Sequence, residues 1–387
     1  MTNWQEVKLG DVCSSISDTY RRKDERVILI NTSDVLDGKI LNHTPVKNEK
    51  LKGQFKKKFQ QNDILYSEIR PANKRFAFVD IQNTYNYIAS TKLMVLRPNI
   101  NKILPKFLYC ILKSDDIINE LQQLAETRSG TFPQITFSAE LAPMGILLPP
   151  LDTQQKIATV LGVLDDKIEL NTKINNNLEQ QAQALFKSWF VDFEPFGGKM
   201  PNDWKVGKLK DLADVSSGKR PLIKQDNKSI EFSIPLVGAS CIMGYTNQTL
   251  YRNKILITGR VGTHGIIQRF HDACWPSDNT LVLISRYYEY AYQSLKTINY
   301  TGMNRGSTQP LITQTDLKNT EIIIPSIDIL IKFEQISGQL MEFYEYNQQE
   351  NTRLAQIRDT LLPKLMSGKI DVSNVNISAD ISSFTEN

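Results

Sequence analysis

The sequence predicts an α+β chain. Two strand-rich domains stand in tandem repeat, each followed by a long α-helix, and the two helices pair as an antiparallel coiled coil with pseudo-twofold symmetry. Three observations carry this expectation. The chain is written twice, each copy ends in an apolar stripe at heptad spacing, and short β-branched runs broken by Gly, Asn and Pro fill the space before each stripe.

The duplication is read from paired segments. WQEVKLGDV from Trp4 answers WKVGKLKDLADV from Trp204, RSGTFPQIT from Arg128 answers RGSTQPLIT from Arg305, and ILLPPLD from Ile146 answers IIIPSID from Ile322. From Ile146 onward the copies align without gaps at an offset of 176 residues. Weaker echoes, NDILYSEIR from Asn62 with NKILITGR from Asn253 and STKLMVL from Ser90 with DNTLVL from Asp278, each read as a strand. Between its Trp and its Thr-x-Pro turn the first copy is about 23 residues longer, and it holds a helical pattern around Phe107 to Leu124. The expected segments are 1–145 and 194–321 for the domains, 146–193 and 322–368 for the helices, and 369–387 for an acidic, flexible tail.

Each helix opens after proline, with Asp152 or Thr153 as N-cap candidates in the first and Ser326 and Asp328 in the matching stretch of the second. Apolar residues of the first fall at Ile157, Leu161, Leu164, Ile168, Leu178, Ala182, Leu185 and Trp189. Those of the second fall at Phe333, Leu340, Tyr344, Leu354, Leu361 and Leu365, with Ser337 and Arg358 as weaker members. A helix of about 35 residues is on the order of 50 Å long, more than a small domain is wide. Asn171 and Asn175 occupy seam positions, and the offset places Asn347 and Asn351 at the same positions of the second helix. Seam asparagines fix register, because a slipped pairing leaves amides buried without partners. Antiparallel helices related by a twofold axis would set Asn171 against Asn351 and Asn175 against Asn347. The competing reading leaves these amides in solvent, with the seam broken there.

Composition bounds the function classes. With 41% hydrophobic and 23% charged residues the chain is ordinary for a globular protein, and no run approaches the roughly 18 apolar residues of a membrane helix. The start lacks a signal-peptide layout, so a cytoplasmic chain with no membrane partner is expected. Cys13, Cys110, Cys241 and Cys274 form no C-x-x-C pair, and His43, His264 and His271 are too spread for a metal triad. The net charge of +4 is mild, but Lys50, Lys52, Lys56, Lys57, Lys58, Arg70, Lys74 and Arg75 crowd one segment, interleaved with Phe55, Phe59 and Tyr66. Such a segment suits a surface that tracks phosphates, or else a solvated lysine-rich loop.

Taken together, LLPPLDTQQKIA from Leu147, DDKIELN from Asp165 and ALFKSWFVDF from Ala184 resemble the specificity subunit of type I restriction-modification enzymes, and the resemblance covers nearly the whole chain. The second copy is more diverged: Ile324-Pro-Ser-Ile-Asp is kept, but QQKI becomes Leu330-Ile-Lys-Phe. The resemblance implies two target recognition domains, each reading one half of an asymmetric, bipartite DNA sequence, with the helices as spacer. It implies double-stranded DNA, two modification subunits and restriction subunits as partners. S-adenosylmethionine, ATP and Mg2+ would sit on those partners, with no cofactor, metal or catalytic residue in this chain. The absence of a G-x-x-x-x-G-K-[ST] motif and of an Asn/Asp-Pro-Pro-aromatic motif agrees with that division of labour.

DNA-binding candidates in the first domain are Lys57, Arg70, Lys74, Arg75, Arg128 and Gln134. In the second they are Lys219, Arg220, Arg260, Thr263, His264, Arg305 and Gln309. Arg can hold guanine bidentately and Gln adenine, whereas Lys57 and Lys74 suit phosphates; structural salt bridging is the competing role for each. Gln180, Gln181, Phe186, Lys187, Trp189 and Phe190 are candidates for docking modification subunits, since apolar helix ends need cover. The alternative to a DNA reader is a coiled-coil scaffold with two protein-binding domains. Salt separates the two, because duplex affinity falls steeply with ionic strength and a scaffold binds no duplex.

Overall fold

In the computed structural model, residues 4–21, 24–49, 53–128, 133–303 and 311–375 are described. Among them are the helices α1 (Pro105–Leu112), α2 (Asp115–Arg128), α3 (Leu151–Phe190), α4 (Tyr288–Thr297), α5 (Gln314–Lys318) and α6 (Ile327–Met366). The chain divides into two compact units, residues 1–169 with 351–387, and residues 170–350. The division therefore falls inside α3 and inside α6, and each unit holds one globular repeat and one half of each long helix.

The first unit is built on an antiparallel sheet ordered Cys13–Ile16, Leu93–Pro98, Ile64–Ser67, Phe76–Phe78. Successive residues of a strand face opposite sides, and here both sides are apolar. Ile64, Tyr66, Met94 and Leu96 enter a core with Phe107, Leu121, Ile157, Leu161 and Leu365 of the helices. Leu65, Ala77, Leu93 and Val95 enter a second core with Ile28, Ile30 and Ala89. That second core lies under a mixed sheet ordered Val46–Lys47, Arg26–Ile30, Tyr87–Ser90, Phe55–Lys57, in which Arg26–Ile30 and Tyr87–Ser90 run parallel. A ribbon of Gln5–Lys8 against Gly145–Leu148 ties the start of the repeat to the segment that feeds α3.

The second unit repeats the plan. Ala213–Ser217, Thr280–Ser285, Ile255–Gly259 and Gln268–Phe270 form the antiparallel sheet in the same order, and Lys205–Lys208 pairs with Glu321–Ile324. Leu256, Leu281 and Leu283 face the helices, while Ile255, Ile257 and Val282 face the other way. Ile234–Val237 again runs parallel to a late strand, Trp275–Pro276. The extra length of the first repeat is divided between the hairpin of Val35–Leu36 with Lys39–Ile40 and the strand Phe55–Lys57 on one side of Leu93–Pro98, and on the other side α1 and α2, which stand in the place of α4.

The repeated motifs have local causes. In each copy a short turn follows the first strand, and an aspartate accepts a backbone N–H at its start: Asp11 from Lys8 at 3.2 Å and Asp211 from Lys208 at 2.8 Å. The threonine ending each PQIT or PLIT motif is an N-cap, Thr136 for the turn at Phe137–Leu141 and Thr313 for α5. Each tryptophan packs beyond the end of a long helix. Trp204 lies against Phe190 and Phe196, and Trp4 lies where a Cβ on Gly368, just past α6, would come within 3.1 Å of its ring.

Several expectations are corrected in detail. Each long helix has 40 residues, about 60 Å at 1.5 Å rise, not about 35. The first starts at Leu151, ahead of both N-cap candidates. Gln154 in its first turn is fully buried and makes three bonds, accepting from Leu104 N and donating to the Lys102 and Pro149 carbonyls. The pattern around Phe107 to Leu124 is two helices, because the Ser114 carbonyl accepts from Ile118 N and its hydroxyl lies in reach of Ile117 N, opening a new helix. Of the tail, residues 369–375 are described, and Ile370, Val372 and Val375 join the first core.

Within the second unit, Phe186 meets Phe333 with ring centroids 6.0 Å apart and Asn175 meets Asn347, so α3 and α6 run antiparallel there. In the first unit Asp165 meets Arg358 and Ile168 meets Asn351, which is the same sense.

Candidate nucleic-acid interface

In the second unit, one end of the central sheet gathers most of the predicted cations. Lys219 and Arg220 follow the strand Ala213–Ser217 and are exposed, with Lys219 N bonded to the Pro276 carbonyl at 2.9 Å. Arg260 follows Ile255–Gly259 and donates its backbone N–H to Asn279 O at 2.8 Å. Thr263 and His264 lie on the next loop, which folds back so that His264 Nδ1 stands 3.2 Å from Gly259 O. Leu311 bridges Val261, and Ile312 N donates to Arg260 O at 3.0 Å, which brings the threonine-capped segment to the same edge. Arg305 and Gln309 lie outside the described residues.

The first unit closes its sheet end with the same backbone bond, Ile135 N to Glu68 O at 2.8 Å, and Ile69 bridges Gln134. By that register Glu68 stands where Arg260 stands, and the residue matching Arg70 is Gly262. Arg70 is exposed, in a left-handed backbone conformation at φ 45°, and its N–H reaches Pro133 O at 3.2 Å. Arg70 and Gln134 therefore come together, with Lys92 Nζ 3.4 Å from Gln134 Oε1.

Four other candidates, Lys57, Arg75, Lys74 and Arg128, make contacts within the chain, which is the role that competes with DNA contact. Lys57 is half-buried, donating to the Leu93 carbonyl at 2.8 Å beside Glu68, and burial holds its ammonium pKa below the ordinary lysine range. Arg75 donates to the carbonyls of Ser33 and Val35 at 3.1 and 3.3 Å. Lys74 pairs with Asp115 at 2.9 Å and Arg128 with Glu140 at 2.7 Å. The last two keep about half their side chains exposed, 44% and 53%, so phosphate contact is open to them in a way it is not to Lys57.

On the helices, Asn171, Asn175 and Asn347 are buried. Asn175 accepts from Asn347 at 2.9 Å and donates to the Tyr344 carbonyl at 3.0 Å, while Asn171 donates to Glu350 at 2.6 Å. Asn351 donates to the Ile168 carbonyl at 3.4 Å. Of the docking candidates, Gln180, Gln181 and Lys187 are exposed, Lys187 beside Asp192. Phe186 and Phe190 are not available for docking, at 6% and 2% exposure. They sit among Trp204, Tyr290, Leu330 and Phe333, and half-buried Trp189 packs on Phe196 and Phe333. The chain supplies its own cover for these apolar rings, through α4 and the start of α6.

The residues that anchor the second repeat to the helices escaped sequence reasoning. Arg269 is buried, forks onto Glu289 of α4 at 2.6 and 2.8 Å, reaches Glu345 of α6 at 2.8 Å, and lies over the rings of Tyr288 and Tyr292. Glu334 of α6 accepts the N–H groups of Glu289 and Tyr290, and burial pushes its carboxyl up to about 7 against those bonds. Glu179 of α3 accepts from Tyr292 at 2.6 Å and from Lys296. In the first unit Asp165 plays this part, bound by Lys113 at 2.5 Å and Arg358 at 2.9 Å. The only forward signal was acidic residues beside an otherwise apolar seam.

The remaining chemistry-bearing groups do structural jobs. His43 bonds Tyr87, and His271 pairs with Glu345. Cys13, Cys110 and Cys274 are buried, which pushes their thiols up to about 12, 11 and 12, while Cys241 is exposed. No helix among the described residues is long and apolar enough to cross a membrane.

Residues 1–180 and 201–359 match the family described as the type I restriction modification DNA specificity domain. Over 467 aligned positions the chain is 33% identical to the type I restriction enzyme HindI specificity subunit of Haemophilus influenzae, covering 96% of this chain and 100% of that one. It is 31% identical over 310 positions to the MjaIX specificity subunit of Methanocaldococcus jannaschii, covering 70% of this chain and 71% of that one. The fold is that of the type I restriction-modification S subunit from M. genitalium, with a TM-score of 0.58 at 17% identity over 94% and 96% of the two chains. The chain belongs to the specificity-subunit family of type I restriction-modification systems, and is a DNA-recognition subunit that carries no catalytic site of its own.

Proposed function

We propose that each globular repeat reads one half of an asymmetric, bipartite DNA target, and that the long helices set the unread gap and dock two modification subunits, to which restriction subunits add. One observation carries the reading. The two repeats share sheet order and closing hydrogen bonds, yet present different residues at the same edge: Glu68, Arg70 and Gln134 in the first, Arg260, Gly262 and Leu311 in the second. A constant frame with altered edge residues is how two unlike half-sites can be read by one architecture. Helices about 60 Å long suit a spacer, since each base pair advances the duplex by about 3.4 Å. Asn171, Asn175, Asn347 and Asn351 hold the register of that spacer, and Gln180, Gln181 and Lys187 belong to the docking face.

The test is assembly and salt-dependent binding. The chain co-expressed with its modification subunit is expected to purify in a ratio of one to two, and to bind target duplex with an affinity that falls steeply between 50 and about 200 mM salt. A chain that co-purifies with neither subunit nor duplex would refute it.

A further inference from the structure

We infer that His264 is the acceptor with which the second repeat reads an exocyclic base amine, adenine N6 or cytosine N4, in its half of the target. The inference rests on the DNA-reading role proposed above and assigns the chemistry of one position within it.

The argument begins with the ring. His264 Nδ1 lies 3.2 Å from the Gly259 carbonyl oxygen, and a carbonyl only accepts, so Nδ1 carries the proton and donates. Nε2 is then the acceptor of the ring. It is buried and has no hydrogen-bond partner among the described residues. Arg260 Nε and Ser277 Oγ are buried without partners at the same sheet end. The backbone holds the three close, since Arg260 N bonds Asn279 O, Thr280 N bonds Ser277 O, and the His264 ring returns to Gly259. Buried polar groups in native structures are nearly always satisfied, and three unmet ones on adjoining segments single out this sheet end as one able to take a hydrogen-bonding partner.

The segment that carries the ring has a glycine on each side. Gly262 and Gly265 bracket Thr263 and His264 at φ +81° and +79°, where side chains with a Cβ are strained, and both flanks of the loop can therefore re-aim. The loop now rests on Gly259 so closely that a Cβ there would lie 1.8 Å from the Thr263 carbonyl. Only the Thr263 side of this loop need draw back, with the Nδ1–H bond to Gly259 kept, so that Nε2 stays the acceptor as it and Arg260 are reached. In the major groove an acceptor such as Nε2 has only two donors to meet, adenine N6–H and cytosine N4–H, whereas guanine O6, thymine O4 and the purine N7 atoms only accept and suit the arginine. The first repeat has Arg70-Pro-Ala-Asn-Lys at the corresponding place and no histidine, so this contact belongs to one half-site alone.

The experiment is methylome sequencing in a host that carries the complete system with wild-type chain, His264→Ala or His264→Gln. Gln keeps an acceptor at the end of the side chain. Wild type defines a motif with adenine or cytosine at one position of one half-site. His264→Ala is expected to admit guanine or thymine there, with discrimination falling about ten- to hundredfold, while the other half-site is unchanged and His264→Gln keeps the wild-type motif. An unchanged motif in His264→Ala, relaxation in both half-sites, or loss of methylation in both variants would overturn the inference and assign His264 a structural role. Absence of any motif with the wild-type chain would instead overturn the DNA-reading role itself.

Discussion

Replacing Asn347 with leucine removes the donor that satisfies Asn175 Oδ1 at 2.9 Å, at a place where the two side chains are 3% and 5% exposed. Water cannot fill in for the lost partner, so the stranded amide oxygen should cost about 1–3 kcal/mol. The unit concerned spans residues 170–350, and for a domain of that size each kcal/mol moves the melting temperature by about 2–4 °C. Replacing both Asn175 and Asn347 with leucine removes both polar groups at once and gives an unbroken apolar seam, which should be close to neutral or stabilising. The assay is a double-mutant cycle from urea unfolding of wild type, both single variants and the double variant, with a coupling of at least about 1 kcal/mol expected. Single-variant losses that simply add in the double variant would refute the view that these amides specify each other. The double variant should also blur the length of the unread gap, because an apolar seam tolerates slippage that the amides forbid.

Four further outcomes follow from the same structure. Arg269→Met should destabilise by about 3–5 kcal/mol, read by thermal unfolding, since it leaves Glu289 and Glu345 facing each other with their cation gone. The Glu334 carboxyl is raised from 4.5 to about 7 in the fold, so the native state holds a proton that the unfolded chain releases. Stability from this group is therefore full below about 4.5 and falls as pH rises toward 7, and Glu334→Gln should flatten that slope in pH-dependent unfolding. Arg70→Ala should alter base preference in the first half-site with little change in melting temperature. Arg75→Ala should lower the melting temperature instead, because Arg75 holds the Ser33 and Val35 carbonyls.

The architecture was legible because it was repeated. The aspartates of the KLGD and KLKD segments and the threonines of PQIT and PLIT stood out as echoes, and they prove to be the caps that shape each repeat. The strands echoing between Asn62 and Leu96 were visible for the same reason, and they are neighbours in the sheet. The polar edge was only half legible. Residue type marked Arg70 and Arg260, but whether a cation is free depends on groups far along the chain, as with Lys57 and the Leu93 carbonyl or Arg128 and Glu140. The same distance hid the Arg269 cluster, whose members stand at 269, 289 and 345 and look like solvated charges until the fold buries them. Phe186 and Phe190 were read as ends in need of a partner because the rings that cover them, Tyr290 and Phe333, belong to elements about a hundred residues or more away.

The most direct measurement is single-molecule methylome sequencing of a host with and without the gene for this chain. The account predicts one motif that appears only with the gene, made of two unlike halves separated by a gap of fixed length without base preference. No change in methylation, or a continuous palindromic motif, would contradict it.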